Sequence, residues 1–147
     1  MRKRISIVLV RAAPSVRATV IAGTCAGRRF QVLTAPGATT AAVRKIRGTK
    51  PDLVLLNLRR EGDDSLSLAQ ALHAESSAAR VILLGVAPLH LDVMSFVRAG
   101  VSGFVMAKAS LETFLGAVCS VAQGTQVLPP ELTHALFAQL YSEGHRN

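Results

Sequence analysis

Residues 52–58 read DLVLLNL and residues 5–10 read ISIVLV. Apolar runs this short and this continuous suit strands covered on both faces, the arrangement found in parallel sheets sandwiched between helices. Helical stretches separate such runs along the chain. Pro14 and Ser15 open one that extends to about Ala26, with Val16, Val20 and Ile21 as its inward stripe. Residues 30–33 read as a second strand, and residues 39–47 as a basic helix ended by Gly48 and Pro51. A helix over residues 65–76 carries Leu68 and Leu72 on one face, and residues 81–84 form a fourth strand. Residues 89–99 read as a helix stopped by Gly100, and residues 103–106 as a fifth strand. Ser110 caps a helix to about Gln123, and Pro129 and Pro130 start an amphipathic helix to about Tyr141.

Strand–helix alternation implies parallel strands joined by right-handed crossovers. The expectation is an α/β, flavodoxin-like, doubly wound five-stranded parallel sheet of order 2-1-3-4-5, with an extra C-terminal helix. Residues 1–124 would form the domain, and residues 125–147 a linker and amphipathic helix. Ligands of such sheets bind beyond the carboxyl ends of the strands. That directs attention to the residues after Val10, near Asn57, after Leu84 and after Met106.

The formal charge of +8 is unevenly spread. Residues 1–60 hold 13 Lys/Arg and one acid, whereas residues 61–147 hold 4 Lys/Arg and 8 acids. Such asymmetry suits an acidic partner, a nucleic acid or a second copy equally. The patch of Arg28, Arg29, Arg44, Lys45, Arg47 and Lys50 has no interleaved aromatics and no recognition helix, which argues against direct nucleic-acid binding. The longest apolar stretch, residues 81–91, is broken by Gly85, Pro88 and His90 and is too short for a bilayer. The run after MRKR is too short for a signal peptide. A soluble, cytoplasmic protein with no membrane contact is expected. Cys25 and Cys119 read as two small buried hydrophobes, neither a disulfide framework nor a metal site.

Three segments carry a family resemblance. Residues 54–59 (VLLNLR), 98–104 (RAGVSGF) and 127–132 (VLPPEL), in register with ISIVLV, resemble response-regulator receiver domains. The likeness is to the subgroup linked to a helix-turn-helix (NarL/FixJ-like), and it covers roughly residues 5 to 135. The resemblance implies an aspartate at the end of the third strand that accepts a phosphoryl group. It implies an acid pair after the first strand that helps hold Mg²⁺, a Thr or Ser after the fourth strand and a Lys after the fifth. A carboxylate is the nucleophile, and a hard cation held by oxygens neutralises the transferring group.

This chain has Arg11 and Ala12 at the acid pair, Asn57 at the nucleophile, Gly85 at the hydroxyl position and Ala107 at the lysine. Five departures together describe a degenerate, pseudo-receiver site with no catalytic residue, no cofactor and no expected Mg²⁺. Asp63, Asp64 and Lys108 are the charges expected nearest the site. An ion pair of either aspartate with Arg11 or Lys108 would stand in for the missing metal.

The expected function is that of a phosphorylation-independent regulatory module, a homodimer acting in signal transduction or transcription control. A DNA-binding domain, fused or separate, would lie outside this chain. Leu91, Met94 and Phe96 on the fourth helix, and Leu132, Leu136 and Leu140 on the last, are the expected interface. The alternative is a sensor of small anionic ligands at the former phosphorylation site. No nucleophile–base pair or glycine-rich phosphate loop points to an enzyme.

Overall fold

The computed structural model describes residues 4–35, 37, 39–58, 64–75, 78–87 and 91–144. In chain order they form β1 (Ile5–Val10), α1 (Pro14–Ala22), β2 (Thr24–Cys25), β3 (Arg28–Ala35), α2 (Thr39–Thr49) and β4 (Leu53–Asn57). Then follow α3 (Ser65–Ala74), β5 (Arg80–Val86), α4 (Val93–Arg98), β6 (Val101–Met106), α5 (Leu111–Ala122) and α6 (Pro130–Gly144). Strands β3, β1, β4, β5 and β6 lie side by side and run parallel, in the order expected for five principal strands. The sheet has a sixth member, because β2 pairs antiparallel with β3 at its outer edge.

Period-two alternation distributes the apolar side chains between two cores. Val8, Val10, Val54, Leu56, Val81 and Leu83 pack with Ile46 of α2, Leu68 and Leu72 of α3 and Phe96 of α4. Ile5, Ile7, Leu9, Leu53, Leu55, Ile82 and Leu84 pack with Val20 of α1 and with Phe114, Val118 and Val121 of α5. The sheet is thus covered on both faces, as its unbroken apolar strands require.

Several local expectations are corrected. Helix α1 ends at Ala22 rather than near Ala26, because Gly23 leads into a hairpin. Ala26 and Gly27 both have positive φ, 51° and 76°, the requirement of the two-residue turn that matches strand twist. β3 accordingly starts at Arg28, two residues early. The expected start of the fourth helix at Leu89 lies outside the described residues. Asp92 caps that helix instead, its side chain accepting from the Ser95 N–H at 3.1 Å.

The cysteines are not two independent hydrophobes. Cys25 on β2 and Cys119 on α5 form a disulfide across 94 residues of sequence. Their separation hides the pairing, because only the topology brings β2 and α5 together.

The C-terminal segment is built into the domain. The Phe104 N–H donates to the Val127 carbonyl at 3.1 Å, and the Val127 N–H donates to the Ser102 carbonyl at 3.0 Å. Leu132 is fully buried in the first core, a burial that stabilises by about 1.5–3 kcal/mol. Gln139 of α6 reaches α4, its Nε2 donating to the Leu91 carbonyl at 3.3 Å and its Oε1 accepting from the Met94 N–H at 3.0 Å. Leu91, Met94, Phe96 and Leu132 are therefore interior to one copy of the chain, not surplus for an interface. Leu136 is half-buried against the first core and Leu140 is exposed. No helix among the described residues is long and apolar enough to cross a membrane.

Candidate functional site

The carboxyl ends of β1 and β4 and the start of α3 converge on Arg11, Asn57 and Asp64. Arg11 follows the last residue of β1 in the left-handed region, φ 61°. That conformation costs a side-chain-bearing residue about 1 kcal/mol or more. Its side chain is only 1% exposed. The guanidinium is turned onto protein groups. Nε and Nη2 donate to the Gly37 carbonyl at 3.3 and 3.2 Å, Nη1 donates to the Ser65 hydroxyl at 3.2 Å, and Nη2 pairs with the Asp64 carboxylate.

Asp64 is held from a second side by the Thr39 hydroxyl, which donates to its Oδ2 at 2.7 Å. The network therefore ties the end of β1 to the first turns of α2 and α3. Ser65, the first residue of α3, is fully buried, and its hydroxyl is satisfied within this network. A planar guanidinium with five donors suits such a cluster of carbonyl, hydroxyl and carboxylate oxygens.

Asn57 ends β4 beside Leu84 of β5 and is half-buried. Gly85 lies next to it with φ +74°, and a Cβ there would come within 3.2 Å of Asn57 Oδ1 and of the Leu58 carbonyl. Gly85 also marks a register shift between β5 and β6, after which Val86 turns back into the first core. The glycine is thus a backbone feature as well as a side-chain one. A Ser at this position would meet both strain and a close neighbour.

The remaining expected positions have other surroundings. Ala12 packs against the second core. Ala107 is exposed, with its N–H donating to the Val86 carbonyl at 2.9 Å. Lys108 is exposed and lies beside the cavity between α5 and the 127–131 segment. Asp63 lies outside the described residues. Among the described residues, Asp64 pairs with Arg11. Thr39, Ser65 and the Gly37 carbonyl were not anticipated. No spacing rule links residues 11, 37, 39 and 65, although a Ser directly after an acid at a helix start was a usable signal.

No protein-family model matches the chain. Among curated proteins, it is 25% identical over 114 residues to the nitrate/nitrite response regulator protein homolog of Haemophilus influenzae, covering 78% of this chain and 55% of that one. It is 31% identical over 90 residues to the nitrate/nitrite response regulator protein NarL of Escherichia coli, covering 61% and 42%. The chain thus spans about half the length of these relatives. Among solved structures, a LuxR-family two-component response regulator from Aurantimonas matches with a TM-score of 0.73 at 20% identity, over 95% of this chain and 99% of that one. The signal receiver domain of a NarL response regulator from Mycobacterium tuberculosis matches with a TM-score of 0.65 at 24% identity, over 83% and 98%.

The chain is similar in sequence to NarL-type response regulators and shares the fold of their receiver domains. Among the described residues the five parallel strands and both cores are in place. Arg11, Asn57 and Gly85 lie at the carboxyl ends of the strands, and Ala107 follows β6.

Proposed function

We infer that this receiver domain works without phosphorylation, as a regulatory protein-interaction module. The single observation that carries the reading is the buried Arg11 guanidinium bonded to Asp64, Ser65 and Gly37 at the end of β1. A fixed internal cation there takes the place that an acid pair and Mg²⁺ would need.

The donor set does not suit a hard divalent ion. Arg11 brings positive charge to the place, and the Asp64 carboxylate is already engaged by Arg11 and Thr39. Asn57 offers a neutral amide, which is a poor nucleophile. No step of phosphoryl transfer is therefore assigned to this site. The same burial weighs against the ligand-sensor alternative, since an anion would have to displace Asp64 from a side chain that is 1% exposed.

The partner surface we propose is the outer side of the packed α4–α6 pair. Val97 of α4 and Phe137, Leu140 and Tyr141 of α6 are exposed large apolar residues on these two helices. Homodimerisation through this side, and transcription control through a DNA-binding domain outside residues 1–147, complete the reading. Sedimentation velocity over a range of concentrations, with and without acetyl phosphate and Mg²⁺, tests it. The expected result is self-association that ignores the phosphodonor and weakens in Phe137→Ser. A monomer at every concentration would remove the dimer, and association that requires the phosphodonor would remove the phosphorylation-independent role.

A further inference from the structure

Cys25 and Cys119 take no part in the site above, yet they fasten together the hairpin at one edge of the sheet and the helix that covers that face. The surrounding seam is close. A Cβ at Gly23 would lie 3.0 Å from Leu115 of α5 and 3.1 Å from Phe30 of β3. The opposite flank of α5 is open. Thr113, Ala117 and Ser120 line a cavity of about 570 Å³ whose other walls come from β6 and the 127–131 segment. α5 is thus bonded covalently on one side and faces unfilled space on the other.

We propose that Cys25–Cys119 is a reversible redox modification site that sets the position of α5, with a small disulfide such as oxidised glutathione as its oxidant. Cys25 is 3% exposed and Cys119 is half-buried, so exchange starts at Cys119. Its thiolate attacks one sulfur of oxidised glutathione, forming a mixed disulfide and releasing one glutathione thiolate. The Cys25 thiolate then attacks the Cys119 sulfur and releases the second. Two protein thiols lose two electrons and two protons, and one small disulfide becomes two thiols. Reduction by glutathione runs the same steps in reverse.

The reduced state has a weaker hairpin. β2 is only two residues long and pairs with β3 at Thr24–Arg29 and Cys25–Arg28. Without the bond, nothing covalent holds that strand to α5. The cross-link closes a loop of 94 residues' separation, so its loss returns chain entropy to the unfolded state and lowers the Tm by roughly 10 °C.

The test equilibrates the full chain in glutathione buffers of graded oxidised-to-reduced ratio, alkylates it and counts free thiols by intact mass. The expected result is a single two-electron transition from no free thiols to two. Failure to form the bond in oxidised glutathione overturns the proposal, and so does a bond that persists in fully reduced glutathione. Hydrogen exchange on the two forms supplies the second reading. Residues 22–29 and the second half of α5 should exchange at least several-fold faster when reduced, with α2 and α3 unchanged. Equal protection of α5 in both forms overturns its positioning by the bond. The double variant Cys25→Ser, Cys119→Ser should match the reduced pattern and ignore the glutathione ratio. If it does not fold, the reduced wild-type chain still gives the answer.

Discussion

Arg11–Asp64 and Arg47–Glu75 are one chemical pair in two settings. Both bring an arginine to an end of α3, since Asp64 precedes its first turn and Glu75 follows its last. The Arg11 side chain is 1% exposed and that of Arg47 is 63% exposed. Water solvates the second pair whether or not it is made. The first has exchanged water for protein groups that include Gly37, Ser65 and Asp64. An arginine–carboxylate pair becomes part of a fold only where its partners cannot be replaced by solvent.

The largest effect is expected from Asp64→Ala. It takes the Asp64 carboxylate from the enclosed guanidinium and also frees Thr39. The loss of stability should be about 2–3 kcal/mol, below the range for a fully buried pair because Asp64 is half in water. Urea unfolding at pH 7 measures it. Arg11→Ala should cost less, about 1–2 kcal/mol, because water takes over the stranded Asp64. If the order is reversed, the enclosed partner is not the one that needs its mate.

Arg11→Gly sharpens the comparison further. At φ 61° a glycine carries no steric penalty, so this variant should be about 1 kcal/mol more stable than Arg11→Ala in the same unfolding experiment. Equal stabilities would mean that the backbone relaxes when the guanidinium goes, and that the network imposes the left-handed conformation.

The smallest effect is expected from Glu75→Gln. Hydrogen bonds from Arg47 pull the Glu75 carboxyl below its ordinary value of 4.5. A lowered folded-state pKa gives stability that is present above the ordinary value and lost as pH falls through the lowered one. Wild type and Glu75→Gln should therefore differ by no resolvable amount at pH 7, and any small gap should close on acidification. A loss comparable with that of Asp64→Ala would show that burial is not what separates the two pairs.

The strands were legible where their chemistry is unambiguous. Residues 5–10 and 53–57 are apolar on both faces because helices cover both, and that pattern survives in the sequence alone. The β2–β3 hairpin was not, because Ala26 occupies a turn position that Asn or Asp would have advertised. The role of the last helix was equally hidden. Its apolar stripe shows that it packs on something, but Gln139 bonding α4 chooses its own domain. At the site, the residues that differ from what the resemblance implies are readable position by position. The network itself is only half readable, since Arg11 and Asp64 stand out as charges while Thr39, Ser65 and Gly37 come together through the crossing of three elements. The disulfide belongs to the same class, for its two halves lie on elements that only the folded sheet brings together.

The most direct measurement is intact mass after incubation of the wild-type chain with acetyl phosphate and excess Mg²⁺. An internal Arg11–Asp64 pair in place of an acidic metal site predicts an unchanged mass at every time point. A stable added phosphoryl group would contradict it.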